Sequence, residues 1–169
     1  MLERLVLRLP GAAIAALALA CSSNPQAVSG AGPTTSTTPQ DACPSGTDSA
    51  SGKTYVSDRG CPTCHNADLA GSTSPLTNAQ VGTTLPSDVQ LYAPNLTPDT
   101  ASGLGNWSDT DIKFAIVHGV DNTGADLCPQ MQHYVGMCDA EASGIVAYLR
   151  SLPAVSKTIP GSICPPYKR

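Results

Sequence analysis

Two cysteines three positions apart with a histidine directly after the second, Cys61-Pro62-Thr63-Cys64-His65, constrain this chain more than any other feature. Four chemistries use such a pair. A thioredoxin-like redox couple sits in a βαβ context and has no use for His65. A zinc site needs a second close pair, and the next cysteines, Cys128 and Cys138, stand ten positions apart. A disulfide across two intervening residues is strained. The fourth is covalent haem attachment, for which C-x-x-C-H is the signature. The two thiols add to the two vinyl groups on one porphyrin edge, and the adjacent imidazole is held beneath the ring where it can bind iron. A single such motif predicts one covalent haem c on Cys61, Cys64 and His65.

Composition agrees with a buried cofactor. Aromatic residues make up 4% of the 169, with one Trp and one Phe, so an aliphatic core alone would be thin and a haem would add the missing apolar bulk. The formal net charge is −4 and no cluster of Lys and Arg exists, which excludes a nucleic-acid partner. Seven cysteines in a chain this size call for an oxidising compartment or metal chemistry. The N-terminus points to export. Arg4 and Arg8 form a basic start, and a short apolar run of small residues ends at Ala20, too short to span a bilayer. Residues 1–20 therefore read as a signal peptide. Ala18-Leu19-Ala20-Cys21 resembles a bacterial lipoprotein cleavage box, which implies lipid on Cys21 and a periplasmic or cell-envelope location. Residues 21–40 are Ser, Thr, Pro, Gly and Ala rich and cannot bury enough surface to offset ordering entropy. They are expected to be a disordered tether reaching on the order of 25 Å. The folded domain is expected over 41–169.

Three helices are expected in it. One runs from Ser49 to Arg59, directly into the Cys pair. A second starts at Ser108, whose side chain can cap it with Asp111 three residues on, shows helical spacing at Ile112, Ala115 and Ile116, and stops at Gly119. A third is capped by Asp139, carries an apolar stripe at Ala142, Ile145, Val146 and Leu149, and ends before Pro153. Pro- and Gly-rich loops without strand alternation lie between them. The fold class is all-α, small and loop-rich.

His65 supplies one axial ligand. Met131, Met137, His118 and His133 are the candidates for the other. Met131 lies in the polar, Pro-containing segment Cys128-Pro129-Gln130-Met131-Gln132-His133-Tyr134, a poor place for core filling, so ligation suits it better. Thioether ligation opposite His raises a haem potential.

Tyr92-Ala93-Pro94-Asn95-Leu96-Thr97-Pro98-Asp99, then Gly103 to Asp109, His118-Gly119-Val120-Asp121, Met131, Tyr134 and Ala147 to Pro153 resemble class I cytochrome c domains. The nearest likeness is to those in the cytochrome subunits of bacterial membrane-bound dehydrogenases. The resemblance covers roughly 52–155. It implies N- and C-terminal helices packed across each other around one haem, Met131 as the distal ligand, and Pro94, Asn95 and Trp107 near the haem or its propionates. Family members often carry Pro after the ligand Met, where Gln132 stands here, and those subunits usually hold several haems. Crossing terminal helices would bring the chain ends together, implying a Cys43–Cys164 disulfide. Cys128–Cys138 would then close the loop around Met131. The expected function is one-electron transfer between protein donor and acceptor, free or within a dehydrogenase or oxidase complex. The rival is a haem enzyme or gas sensor with an open distal site.

Overall fold

The computed structural model describes residues 43–165. The leader, Cys21 and the tether expected over 21–40 lie outside the described residues, as do both ends of the domain expected over 41–169. Five helices follow in order: α1 Ser49–Asp58, α2 Pro62–His65, α3 Asn78–Val81, α4 Asp109–His118 and α5 Asp139–Ser151. Among the described residues there is no strand, only the isolated bridges Gln90–Ile163 and Val120–Asp126.

The helix ends are chemically marked. Asp48 Oδ1 accepts from the backbone N–H groups of Ala50 and Ser51, both at 2.9 Å, and starts α1. Ser108 and Asp111 form a reciprocal capping box on α4, and Gly119, with φ +69°, closes it. α5 differs from expectation in detail. Cys138 is its N-cap, and Asp139 is its first helical residue, where a carboxylate suits the helix dipole. Asp139 also accepts from Lys113 Nζ at 2.9 Å, tying α5 to α4.

α1 crosses α5 at close range. A Cβ on Gly52 would lie 1.8 Å from the Gly144 carbonyl oxygen, so at the crossing one backbone rests on the other. Beside it, Arg59 grips Glu141 with a two-pronged ion pair, Nε to Oε1 at 2.6 Å and Nη2 to Oε2 at 2.8 Å. Arg150 on α5 reaches the other way, donating to Asp109 and to the backbone carbonyls of Leu104 and Trp107. These contacts enclose a core of Val56, Leu69, Leu104, Ile112, Ile145, Val146 and Leu149. It is wholly aliphatic, and Phe114 remains 47% exposed. Each such side chain contributes roughly 1.5–3 kcal/mol by burial. The protein interior is as spare in aromatics as composition suggested.

The disulfides correct the sequence reading. Instead of Cys43–Cys164 and Cys128–Cys138, the bonds are Cys43–Cys138 and Cys128–Cys164, with Cα–Cα distances of 5.7 and 5.2 Å. The terminal helices do cross, but the segment ahead of α1 lies along α5, its Gly46 carbonyl 3.0 Å from a Cβ placed on Gly144, and this brings Cys43 to Cys138. The chain beyond α5 then runs to segment 90–92. Ile163 N–H donates to the Gln90 carbonyl at 2.7 Å, and Tyr92 N–H to Ser162 Oγ at 2.8 Å. That path delivers Cys164 to Cys128.

Candidate haem-binding site

α2 is a single turn made from the motif itself. Cys61 is its N-cap and Pro62 its first residue, where the missing N–H costs nothing. Cys64 and His65 N–H groups both donate back to the Cys61 carbonyl, which puts both cysteines and the histidine on one compact turn. Cys61 and Cys64 are half-buried and unpaired, whereas the other four cysteines of the described residues are disulfide-bonded. Burial raises the pKa of both thiols above the ordinary value.

His65 is buried, with Nδ1 2.8 Å from the Pro94 carbonyl oxygen. A carbonyl only accepts, so Nδ1 carries the proton and Nε2 keeps its lone pair. Desolvation lowers the imidazole pKa, against the smaller opposing effect of the Pro94 bond. The ring is therefore neutral, oriented and able to ligate a metal through Nε2.

The Pro94 carbonyl is aimed by a non-local pairing that sequence reading missed. Ser72 N–H donates to Ala93 at 3.1 Å and Leu96 N–H to Leu69 at 2.9 Å, laying 69–72 alongside 93–96. Gly71 makes this possible. Its φ is +76°, and a Cβ there would stand 2.7 Å from the Ala93 oxygen. The Gly71 carbonyl accepts from Asn66 Nδ2 at 2.6 Å and Lys157 Nζ at 2.7 Å. Nothing in the sequence separates Gly71 from the other glycines or gives Lys157 a partner, because both roles depend on pairings between segments far apart along the chain.

Asn95 and Trp107 lie in this same framework. Asn95 is buried with its amide fully engaged. Nδ2 donates to the Val155 carbonyl at 2.7 Å and Ser102 Oγ at 3.2 Å, while Oδ1 accepts from Thr97 N–H at 2.9 Å and Thr97 Oγ1 at 2.8 Å. It braces the segment carrying Pro94. Trp107 packs on the aliphatic core and offers its carbonyl to Arg150.

Met131 is half-buried in a turn closed by its own N–H to the Cys128 carbonyl at 2.9 Å. Tyr134 pins the far side of that turn. Its N–H donates to Ile116 at 3.1 Å and its hydroxyl to the Arg59 carbonyl at 3.0 Å, with the Arg59 guanidinium 5.1 Å over its ring. Met137 instead packs against the core cluster. His118 is exposed and stacks at 4.5 Å on Phe114. Among the described residues no group of three or more His, Cys, Asp or Glu is arranged to hold a bare metal ion. Two unpaired thiols beside a buried neutral imidazole with a free Nε2 fit a covalently held haem instead.

Comparison with known proteins agrees. The cytochrome c family model matches residues 49–153, more than half of the chain. Similar proteins include the gluconate 2-dehydrogenase cytochrome c subunit of Pantoea cypripedii, 35% identical over 60 residues, covering 34% of this chain and 14% of that protein. A nicotinate dehydrogenase subunit of Pseudomonas putida is 31% identical over 74 residues, 43% of this chain and 6% of that protein. A diheme cytochrome c-type protein of Cereibacter sphaeroides is 28% identical over 97 residues, 56% of this chain and 32% of its own length. The chain thus spans a third or less of each of these relatives. With its motif, its buried His65 and this match in place, the chain belongs to the cytochrome c family: an all-α domain that binds c-type haem covalently and serves haem electron transfer.

Proposed function

We propose that the protein is a one-electron carrier working outside the cytoplasm, with one haem on Cys61 and Cys64, ligated by His65 and Met131. The observation that carries this is the His65 ring, buried and fixed by Pro94 so that Nε2 alone is left for iron. When bound there, haem would supply a one-electron ferric/ferrous couple. The protein's part is to orient and exclude. Pro94 sets the imidazole tautomer and strengthens its basicity, and the core around Cys61 keeps water away. Met131 suits the distal role because its turn is held by backbone bonds and not by packing of the thioether, whereas Met137 fills core space.

An oxidising compartment is supported by the two disulfides. With the lipoprotein-like box at Cys21, they favour a periplasmic protein anchored by lipid. The relatives named as dehydrogenase subunits make a dehydrogenase the favoured electron donor, with a second redox protein as acceptor. The test is a denaturing gel stained for haem, on protein made with a working maturation system. Colour on the polypeptide, absent from the Cys61→Ala, Cys64→Ala variant, is the expected result. The ferric absorption spectrum should show a sulfur-to-iron band; a high-spin spectrum would favour an enzyme or sensor.

A further inference from the structure

Among the described residues, two buried side-chain polar atoms have no hydrogen-bond partner, Gln130 Oε1 and His133 Nε2, and both flank Met131. His133 is the informative one. A Cβ placed on Gly119 would lie 2.0 Å from His133 Nε2, 2.2 Å from Cε1 and 2.4 Å from Cδ2. The imidazole therefore occupies the space that any other residue at Gly119 would fill with its side chain. Gly119 is the left-handed cap of α4, φ +69°, so the notch exists where the helix must end. The backbone on either side of Met131 is fastened to the same place. Leu127 N–H donates to the Gly119 carbonyl at 2.7 Å and Tyr134 N–H to Ile116 at 3.1 Å. Gly119 N–H is already spent on Ala115, and His133 Nε2 has no hydrogen-bond partner, so at that atom the ring is held by shape.

We propose that His133, seated in the Gly119 notch, is a positioning residue that sets Met131 against the haem iron. The inference rests on Met131 being the distal ligand. The ring closes the gap between the two backbone bonds, so the turn cannot rock about them, and the thioether two residues away keeps one position. Removing the ring or filling the notch frees that rocking.

The experiment compares the haem-loaded wild type with Gly119→Ala, Gly119→Asn, His133→Ala, His133→Phe and the Gly119→Ala, His133→Ala double variant, with Met131→Ala as reference. Three quantities are read: the sulfur-to-iron band of the ferric form, the midpoint potential, and the rate at which cyanide reaches ferric iron. Circular dichroism accompanies them as a check on folding. Gly119→Ala and His133→Ala should each weaken the band, lower the potential and speed cyanide binding about tenfold, the factor matching one packed contact of ordinary strength. Gly119→Asn accepts the left-handed backbone yet still fills the notch, so it should behave like Gly119→Ala. His133→Phe keeps a flat ring and should retain the band. In the double variant the effects should not add, since the added methyl meets no ring.

Additive effects, or a Gly119→Asn variant with an unchanged band, would mean that backbone strain and not the seat is at work, and would overturn the proposal. A His133→Phe variant as poor as His133→Ala would overturn it too, by assigning the role to the ring nitrogen. If Met131→Ala leaves the band intact, the ligand assignment itself fails. If Met131→Ala abolishes the band while every His133 and Gly119 variant keeps it, only the positioning role fails.

Discussion

The segments that carry His65 and Met131 are built by opposite means. On the His65 side, every polar group that matters is satisfied by another. Nδ1 meets Pro94, Asn95 uses its amide on Thr97, Ser102 and Val155, and Gly71 receives Asn66 and Lys157. On the Met131 side, Gln130 and His133 keep buried atoms without partners, and the segment from Cys128 to Cys138 is fastened by a disulfide at each end. One side is rigid because a buried polar network has a single low-energy arrangement. The other is held by covalent staples, two backbone bonds and the fit of the His133 ring against Gly119. On the proposed ligation, the polar network would fix His65 and the staples would set the reach of Met131.

The largest expected effect tests the staples. In the chain-entropy account, removing Cys43–Cys138, which spans 95 residues, costs about 4.7 kcal/mol, and removing Cys128–Cys164, which spans 36, about 4 kcal/mol. Urea midpoints of the paired Cys→Ser variants, with haem attached, should fall in that order. Non-reducing peptide maps of the wild type should yield a Cys43–Cys138 peptide. A Cys128–Cys138 peptide would return the loop to the self-closed form and erase the contrast.

Next comes a crossed pair. Asn95→Ala leaves the buried Thr97 N–H without its acceptor and should cost roughly 2–3 kcal/mol by urea denaturation while keeping the sulfur-to-iron band. Met131→Ala should do the reverse in kind, abolishing the band, lowering the potential and opening the iron to carbon monoxide. Met137→Ala should leave the band and cost about 1–2 kcal/mol of packing. If Asn95→Ala removes the band or Met137→Ala does, the division into two constructions is wrong.

A smaller effect sharpens the comparison. Gln130→Ala deletes an atom that has no partner, so it should change stability by about 0.5 kcal/mol or less, in contrast to Asn95→Ala.

The smallest effect belongs to neither side and calibrates both. Asp111 has its pKa held below the ordinary 3.8, first by the Ser108 hydroxyl and then by the Ser108 backbone N–H. A carboxylate so depressed stabilises the fold above 3.8 and loses that contribution as pH falls through its folded value. The stability gap between wild type and Asp111→Asn should therefore be greatest at neutral pH and close on acidification. A gap that widened in acid would contradict the capping geometry.

What the sequence made legible was local. Ser108, Asp111 and Gly119 announce the ends of α4 because each cap is written within a few residues of the helix end it closes, and Cys61 to His65 announce the haem because its chemistry needs that spacing. The Cys43–Cys138 pairing was not legible. Knowing that α1 and α5 cross does not say which ends meet, and the return of 153–165 to Gln90 and Tyr92 is a tertiary choice. Gly71 and the His133–Gly119 contact were hidden for the same reason, since each is defined by a partner distant in sequence. Asp139 missed its role by one position, Cys138 having taken the cap.

The order of the four bonded cysteines, 43, 128, 138 and 164, interleaves the two bonds, and this has a mechanical meaning. Let the domain be pulled from its two ends. Force entering at Cys43 passes straight to Cys138, travels backwards along the chain to Cys128, and leaves through Cys164. α1, the haem-attachment turn, the Pro94 segment and α4 all hang on a closed side branch and feel no tension. The backbone in series is the short stretch that holds Met131. A domain pulled this way would keep Cys61, Cys64 and His65 slack, while the strain collects at the stretch that carries Met131.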